Sequence, residues 1–244
     1  LIEYKEGEQM NRHSKAKALL IISGFFAIVI CSFWSARINA NPMVFQEGKQ
    51  FKKFGPAVYE TAIVEDLIKK NPDKVKVFIF YSYACHWCQQ LESKVAVWSK
   101  NLPANTLFYH VPVSFQPGWR SLAKIYFAAE QLKVLDKVHA PMFEAVKNEQ
   151  LANTKDETIF AFIAKQGVDK KAFSEAYHSF LVDSKTRWAN NLAVSFKITA
   201  IPTFVVVGPK EAFYTQTALA GDEANLFNVL NFLIHKEQQQ LKKG

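Results

Sequence analysis

The fold is decided by Val75-Lys76-Val77-Phe78-Ile79-Phe80-Tyr81-Ser82-Tyr83-Ala84-Cys85-His86-Trp87-Cys88. Val75 to Tyr81 is apolar at nearly every position, the pattern of a central strand covered on both faces. Cys88 to about Lys100 reads as a helix, so Cys85 and Cys88, with two residues between them, sit at a strand-to-helix junction, the pattern of a dithiol redox site. Position supplies the chemistry. At a helix N-terminus, free backbone N–H groups and the macrodipole favour negative charge. A Cys85 thiolate is therefore stabilised, and its pKa falls below the free value of roughly 8.5. Cys88, one turn further in, is placed to resolve a mixed disulfide on Cys85.

Two other uses of these cysteines fit the residues less well. A buried structural pair is common for free cysteine, but does not account for the spacing at this junction. Half of a zinc site needs further ligands, since zinc takes four protein ligands or three plus water. The chain has three cysteines in all, and the third, Cys31, lies in a segment expected to be removed. His86 lies inside the turn, and the other histidines (His13, His110, His139, His178, His235) show no paired ligand spacing. No metal site is expected, and no cofactor is implied.

Residues 1 to 40 read as an upstream extension plus a secretion signal. Arg12, His13, Lys15 and Lys17 after Met10 make a basic n-region, Ala18 to Trp34 an apolar run, and Ile38-Asn39-Ala40 a cleavage site ending in a small residue. Met10 is the expected true start. The apolar run is long enough that an uncleaved membrane anchor is the alternative. Export sets the redox compartment: outside the cytosol a dithiol can persist as an oxidising disulfide. The expected location is the periplasm. Residues 1 to 40 hold five Lys/Arg and three Asp/Glu, so the remainder carries 25 basic and 19 acidic side chains, net +6. That charge is scattered, with no basic, aromatic-interleaved run of the kind that binds nucleic acid.

Along the rest, Phe45 to Phe51 reads as a short strand or hairpin edge. Ala62 to Lys70 is a helix stopped by Asn71-Pro72-Asp73. Leu107 to Val113 is a second central strand, which makes a βαβ unit with a parallel sheet. From Gly118 to about Phe196 the signals are helical. Leu122, Ile125, Tyr126, Ala129 and Leu132 share one face. Pro141 is expected to begin a helix, and Thr154-Lys155-Asp156-Glu157 to open another as a capping box. Asp169 and Asp183 are expected to cap two more. The sheet resumes at Thr203 to Val207, followed by an antiparallel strand near Ala212 to Thr217. Asp222 caps a last amphipathic helix. The expected division is a core of residues 41–116 and 197–244, interrupted by a helical subdomain at 117–196. The fold class is α/β.

Phe80-Tyr81-Ser82-Tyr83-x-Cys85-x-x-Cys88, the helical insertion and Ile201-Pro202-Thr203 before a strand together resemble the thioredoxin-fold periplasmic disulfide oxidoreductases of the DsbA type. Phe45 to Phe51, Tyr109-His110-Val111 and Lys137-Val138-x-x-Pro141-Met142-Phe143-Glu144 follow in the matching order. The resemblance covers nearly all of the chain after residue 40. It implies a thioredoxin fold with an inserted all-helical subdomain, and Cys85 and Cys88 as the catalytic pair. It also implies a cis Pro202, with Ile201 offering its backbone to an extended substrate segment as an added strand would. The expected reaction introduces disulfides into reduced or unfolded exported proteins, with a DsbB-like membrane oxidase as recycling partner. The protein is expected to act as a monomer. Alternatives are a reductase or isomerase of the same fold, and a non-catalytic chaperone using the apolar surface around Trp87 and Ile201. Two departures from the family pattern stand out. Its strongly oxidising members have Pro-His between the cysteines, where this chain has the redox-tuning pair His86-Trp87. Many relatives carry a buried acid six positions before the first cysteine, where this chain has Ile79.

Overall fold

The structure is a computed structural model, and it describes residues 44–148, 151 and 155–242. Met10, Cys31, the expected signal and Thr154 lie outside the described residues. Among the described residues no helix is long and apolar enough to cross a membrane.

A five-stranded sheet forms the centre. Strands β1 (Lys52–Lys53), β2 (Val75–Tyr81), β3 (Thr106–Pro112), β4 (Thr203–Val207) and β5 (Ala212–Thr215) lie in the order β1-β5-β4-β2-β3. β2 pairs parallel with β3, in the register Ile79 opposite His110, and antiparallel with β4, in the register Ile79 opposite Phe204. All seven residues of β2 are buried. Each large apolar side chain so covered contributes about 1.5–3 kcal/mol relative to exposure, which is why this stretch sits in the middle of the sheet. Lys76 belongs to the buried run too, and its ammonium donates to the Asn71 carbonyl.

Helix α1 (Ala62–Lys70) precedes β2, and α2 (His86–Ser99) follows it. Five helices then separate β3 from β4: α3 (Trp119–Gln131), α4 (Leu135–Lys147), α5 (Asp156–Lys165), α6 (Lys170–Tyr177) and α7 (Phe180–Ser195). The short α8 (Thr217–Ala220) and the long α9 (Glu223–Leu241) close the described chain. α9 buries Leu226, Val229, Leu230, Leu233 and Ile234.

Several local expectations are revised. The segment from Phe45 gives an isolated bridge between Glu47 and Phe51 rather than a strand; Lys52–Lys53 forms one edge of the sheet, and β3, expected as a second central strand, forms the other. α2 starts at His86, two residues early, because Cys85 itself supplies the cap. Pro141 lies inside α4 rather than at its start. That helix begins after Lys133, which takes a left-handed φ of 58°. A mid-helix proline loses one backbone hydrogen bond, but Val138 before it and Met142 and Phe143 after it are all buried on one face and hold the helix together. α5 is preceded by Lys155, with no side-chain cap. Asp183 does not cap α7. Ser179 does, accepting from the Val182 N–H, while Asp183 pairs with Arg120 and Lys124. Asp169 and Asp222 cap α6 and α9, as their positions predict.

Candidate active site

The end of β2 delivers the chain to the site. Tyr81 and Tyr83 are buried and pack edge to face. The Ser82 hydroxyl accepts from the Ala84 N–H, and the Ser82 carbonyl from the Cys85 N–H, which tightens the turn into α2. Cys85 then has extended backbone and stands as the N-cap residue. Its Sγ accepts the Cys88 N–H at 3.2 Å. A Ser, Thr or Asp oxygen normally accepts this N-cap bond; here a sulfur takes its place.

The two thiols are free and have opposite environments. Cys85 is half-buried, and its pKa is lowered to about 7 by the hydrogen bond from the Cys88 thiol, with the backbone N–H groups of Cys88 and Trp87 adding to the effect against the cost of burial. Cys88 is buried, and its thiol is pushed far up, first by desolvation and then by its role as donor to Cys85. The structure therefore distinguishes a ready thiolate from a protected thiol.

His86 is exposed, and its Nε2 lies 3.1 Å from Gln90 Nε2, one turn along the helix. The groups that lower the Cys85 pKa are Cys88 and the Trp87 N–H, and His86 is not among them. Trp87 is 67% exposed. Across from it, the Ile201–Pro202 peptide bond is cis, and the Ile201 carbonyl lies 3.8 Å from Cys85 Sγ. The loop is braced by Thr203, whose hydroxyl donates to the Ala200 carbonyl and accepts from the Gln216 side chain. Trp87, Leu91, Ile201, Pro202 and Thr217 line a mostly apolar cavity of about 310 Å³ beside the dithiol. Of the six residues singled out from the sequence, Trp87, Ile201 and Pro202 line this cavity, Cys85 faces the Ile201 carbonyl, Cys88 is buried one turn further along α2, and His86 is exposed beside Gln90.

Behind that face lies a cluster that local spacing did not reveal. Ile79 is buried and apolar, so β2 offers no acid beneath the cysteines. Glu92, one turn beyond Cys88 on α2, is buried instead. Its carboxylate lies 3.2 Å from His139 Nε2 and 3.9 Å from His110 Nε2. The Tyr83 hydroxyl is hydrogen-bonded to His139 Nδ1 at 2.7 Å. Burial and the neighbouring His139 push His110 down to about 3, so it is a neutral imidazole and its contact with Glu92 is not an ion pair. The sequence signal for this cluster is faint. Glu92 is a charge between Leu91 and Val95 on a buried helix face, and His110 and His139 interrupt apolar patterns.

A parallel-antiparallel sheet with a helical insertion, a capped thiol at a helix N-terminus and a cis-proline loop against it define a thioredoxin-fold thiol–disulfide oxidoreductase. Residues 76–222 match the sequence profile of the DSBA-like thioredoxin domain. The chain is 30% identical over 173 residues to the thiol:disulfide interchange protein DsbA of Pseudomonas aeruginosa, covering 71% of this chain and 81% of that one. It is 31% identical over 168 residues to the DsbA of Azotobacter vinelandii, covering 69% and 77%. The crystal structure of P. aeruginosa DsbA superposes with a TM-score of 0.70 at 26% identity, over 81% of this chain and 97% of that one. The chain belongs to the DsbA-like thioredoxin-domain family.

Proposed function

We propose that Cys85 and Cys88 are the redox pair, that Cys85 is the exposed partner in exchange, and that the protein donates its disulfide to reduced proteins outside the cytosol. The observation that carries this reading is the sulfur cap, with Cys85 Sγ accepting the Cys88 N–H at the start of α2. It stabilises the thiolate that leaves when the disulfide is given up. A substrate thiolate attacks Cys85 Sγ of the disulfide, the S–S bond breaks, and its electron pair goes to Cys88, which takes a proton. A second substrate thiolate attacks the substrate sulfur of the mixed disulfide and releases Cys85 as thiolate. The substrate loses two electrons and the protein gains them. A DsbB-like membrane oxidase returns the pair to the disulfide.

The apolar cavity along Trp87, Ile201 and Pro202 fits an extended, unfolded segment, with the Ile201 backbone as its edge. His86 and Trp87 tune the pair from the exposed side. Residues 117–196 act as a unit that frames this face, inserted between the two halves of the core, and residues 1–40 serve export to the periplasm. One observation favours a reductive role: a Cys85 pKa of about 7 is also where thioredoxin's attacking cysteine lies.

The test mixes oxidised protein with one equivalent of a reduced, unfolded, disulfide-requiring protein. The expected outcome is disulfide in the substrate and dithiol in the protein, with Cys88→Ser trapping a mixed disulfide through Cys85. Undiminished action on the substrate by a variant with both cysteines changed to serine would make the protein a binding module instead.

A further inference from the structure

We propose that Glu92, His110 and His139 form a binding site for one divalent late transition-metal ion, for which Zn²⁺ is the natural probe. Each residue offers one ligand atom, and the three atoms lie within 4.8 Å of one another. They come from three separate elements: Glu92 from α2, His110 from β3 and His139 from α4. Two imidazoles and a carboxylate, with a fourth position left for water, are a donor set that suits zinc and its first-row neighbours.

The polar atoms of the cluster are unusually placed for ordinary packing. His110 Nε2 and His139 Nε2 are both buried without a hydrogen-bond partner. Buried polar atoms are nearly always satisfied, so two orphaned nitrogens facing one carboxylate call for a shared partner. His139 Nε2 lies 3.2 Å from Glu92 Oε1 without hydrogen-bond geometry. Ligand atoms about 2.0–2.2 Å from one tetrahedral metal stand about 3.4 Å apart, so small side-chain rotations close this set around an ion. The Tyr83 hydroxyl, hydrogen-bonded to His139 Nδ1 at 2.7 Å, fixes the ring, and in the tautomer with its proton on Nδ1 the Nε2 lone pair faces the cluster. Metal-ligating histidines are held this way by an outer partner. A cavity of about 270 Å³, lined by His110, Tyr126, Glu130 and Lys185 among others, gives a path from the surface to His110.

The site would join α2, immediately behind Cys88, to β3 and to the helical insertion. Its loading should therefore raise thermal stability, since a ligand bound only by the folded state stabilises it. The experiment uses the full chain carrying Cys31→Ser, with the Cys85–Cys88 disulfide closed, so that no thiolate competes for metal. Equilibrium dialysis against Zn²⁺ is expected to give one saturable ion per chain and a higher Tm. Co²⁺ in its place should give the intense visible absorption of a four- or five-coordinate centre. His110→Gln, His139→Ala and Glu92→Gln should each weaken uptake at least about a hundredfold, with far-ultraviolet circular dichroism reporting their fold. Tyr83→Phe, which keeps the ring and removes the orienting hydroxyl, should weaken it about tenfold or more. Absence of saturable uptake by the parent chain, or uptake that folded ligand variants retain, would overturn the proposal.

Discussion

Two helix starts in this molecule use the same capping bond with different consequences. At α9, Asp222 Oδ1 accepts the Asn225 N–H at 2.7 Å, and at α2, Cys85 Sγ accepts the Cys88 N–H at 3.2 Å. Both bonds satisfy an orphan donor three residues on. The Asp222 side chain takes no part in redox chemistry, so its cap is a fixed piece of structure. The thiol at Cys85 has a choice of charge near neutrality, so the same cap biases a chemical equilibrium. A routine stabilising device thus becomes a source of reactivity when its acceptor atom is sulfur, and when the second sulfur is buried and kept protonated one turn away.

The comparison is broken most forcefully at Cys85. Cys85→Ser retains a good capping oxygen, so the folded chain should keep its thermal stability, while disulfide exchange should fall at least about a thousandfold because the nucleophile is gone. Stopped assays of substrate oxidation alongside thermal melts would separate the two effects. A large loss of stability would show that Cys85 does more than cap.

The charge choice is sharpened by pH. The rate of Cys85 alkylation in the reduced protein should follow a single titration centred at about 7, reaching about a tenth of its plateau one pH unit lower. The linkage has a definite sign. The folded pKa lies below that of a free thiol, so the Cys85 thiolate stabilises the reduced fold fully above the free-thiol pKa, and the gain is lost as pH falls through about 7. The reduced form should accordingly become more stable, relative to the disulfide form, between pH 7 and 9. A reduced-minus-oxidised stability difference that is flat across that window would contradict the assignment.

The smallest effect belongs to the ordinary cap. Asp222→Ala should cost about 1 kcal/mol, a fall in Tm of about 2–4 °C for a chain of this size, with the Cys85 titration unmoved.

Much of this is legible in the sequence. The bounds of α1 and β2 follow directly from the sequence, because Asn71-Pro72-Asp73 ends one element and an unbroken apolar run makes the other. Asp169 and Asp222 announce their helices because a cap acts within three residues. The errors share a cause. Pro141 looked like a start because its local preference is strong, yet the burial of Val138 on the preceding turn carries the helix through it. Asp183 reads locally as a cap, but Ser179 takes that role, and Arg120 and Lys124, 63 and 59 residues away in the chain, take the carboxylate. The dithiol was readable because its two sulfurs are neighbours in sequence. Glu92, His110 and His139 were not, because only the packing of α2, β3 and α4 brings them together.

The most direct test of disulfide donation is the reduction potential of the Cys85–Cys88 pair, equilibrated against glutathione buffers and followed by Trp87 fluorescence or thiol labelling. Disulfide donation to substrate proteins predicts a value nearer the roughly −120 mV of strong periplasmic oxidants. A value near the roughly −270 mV of thioredoxin would contradict it and assign the protein a reductive role.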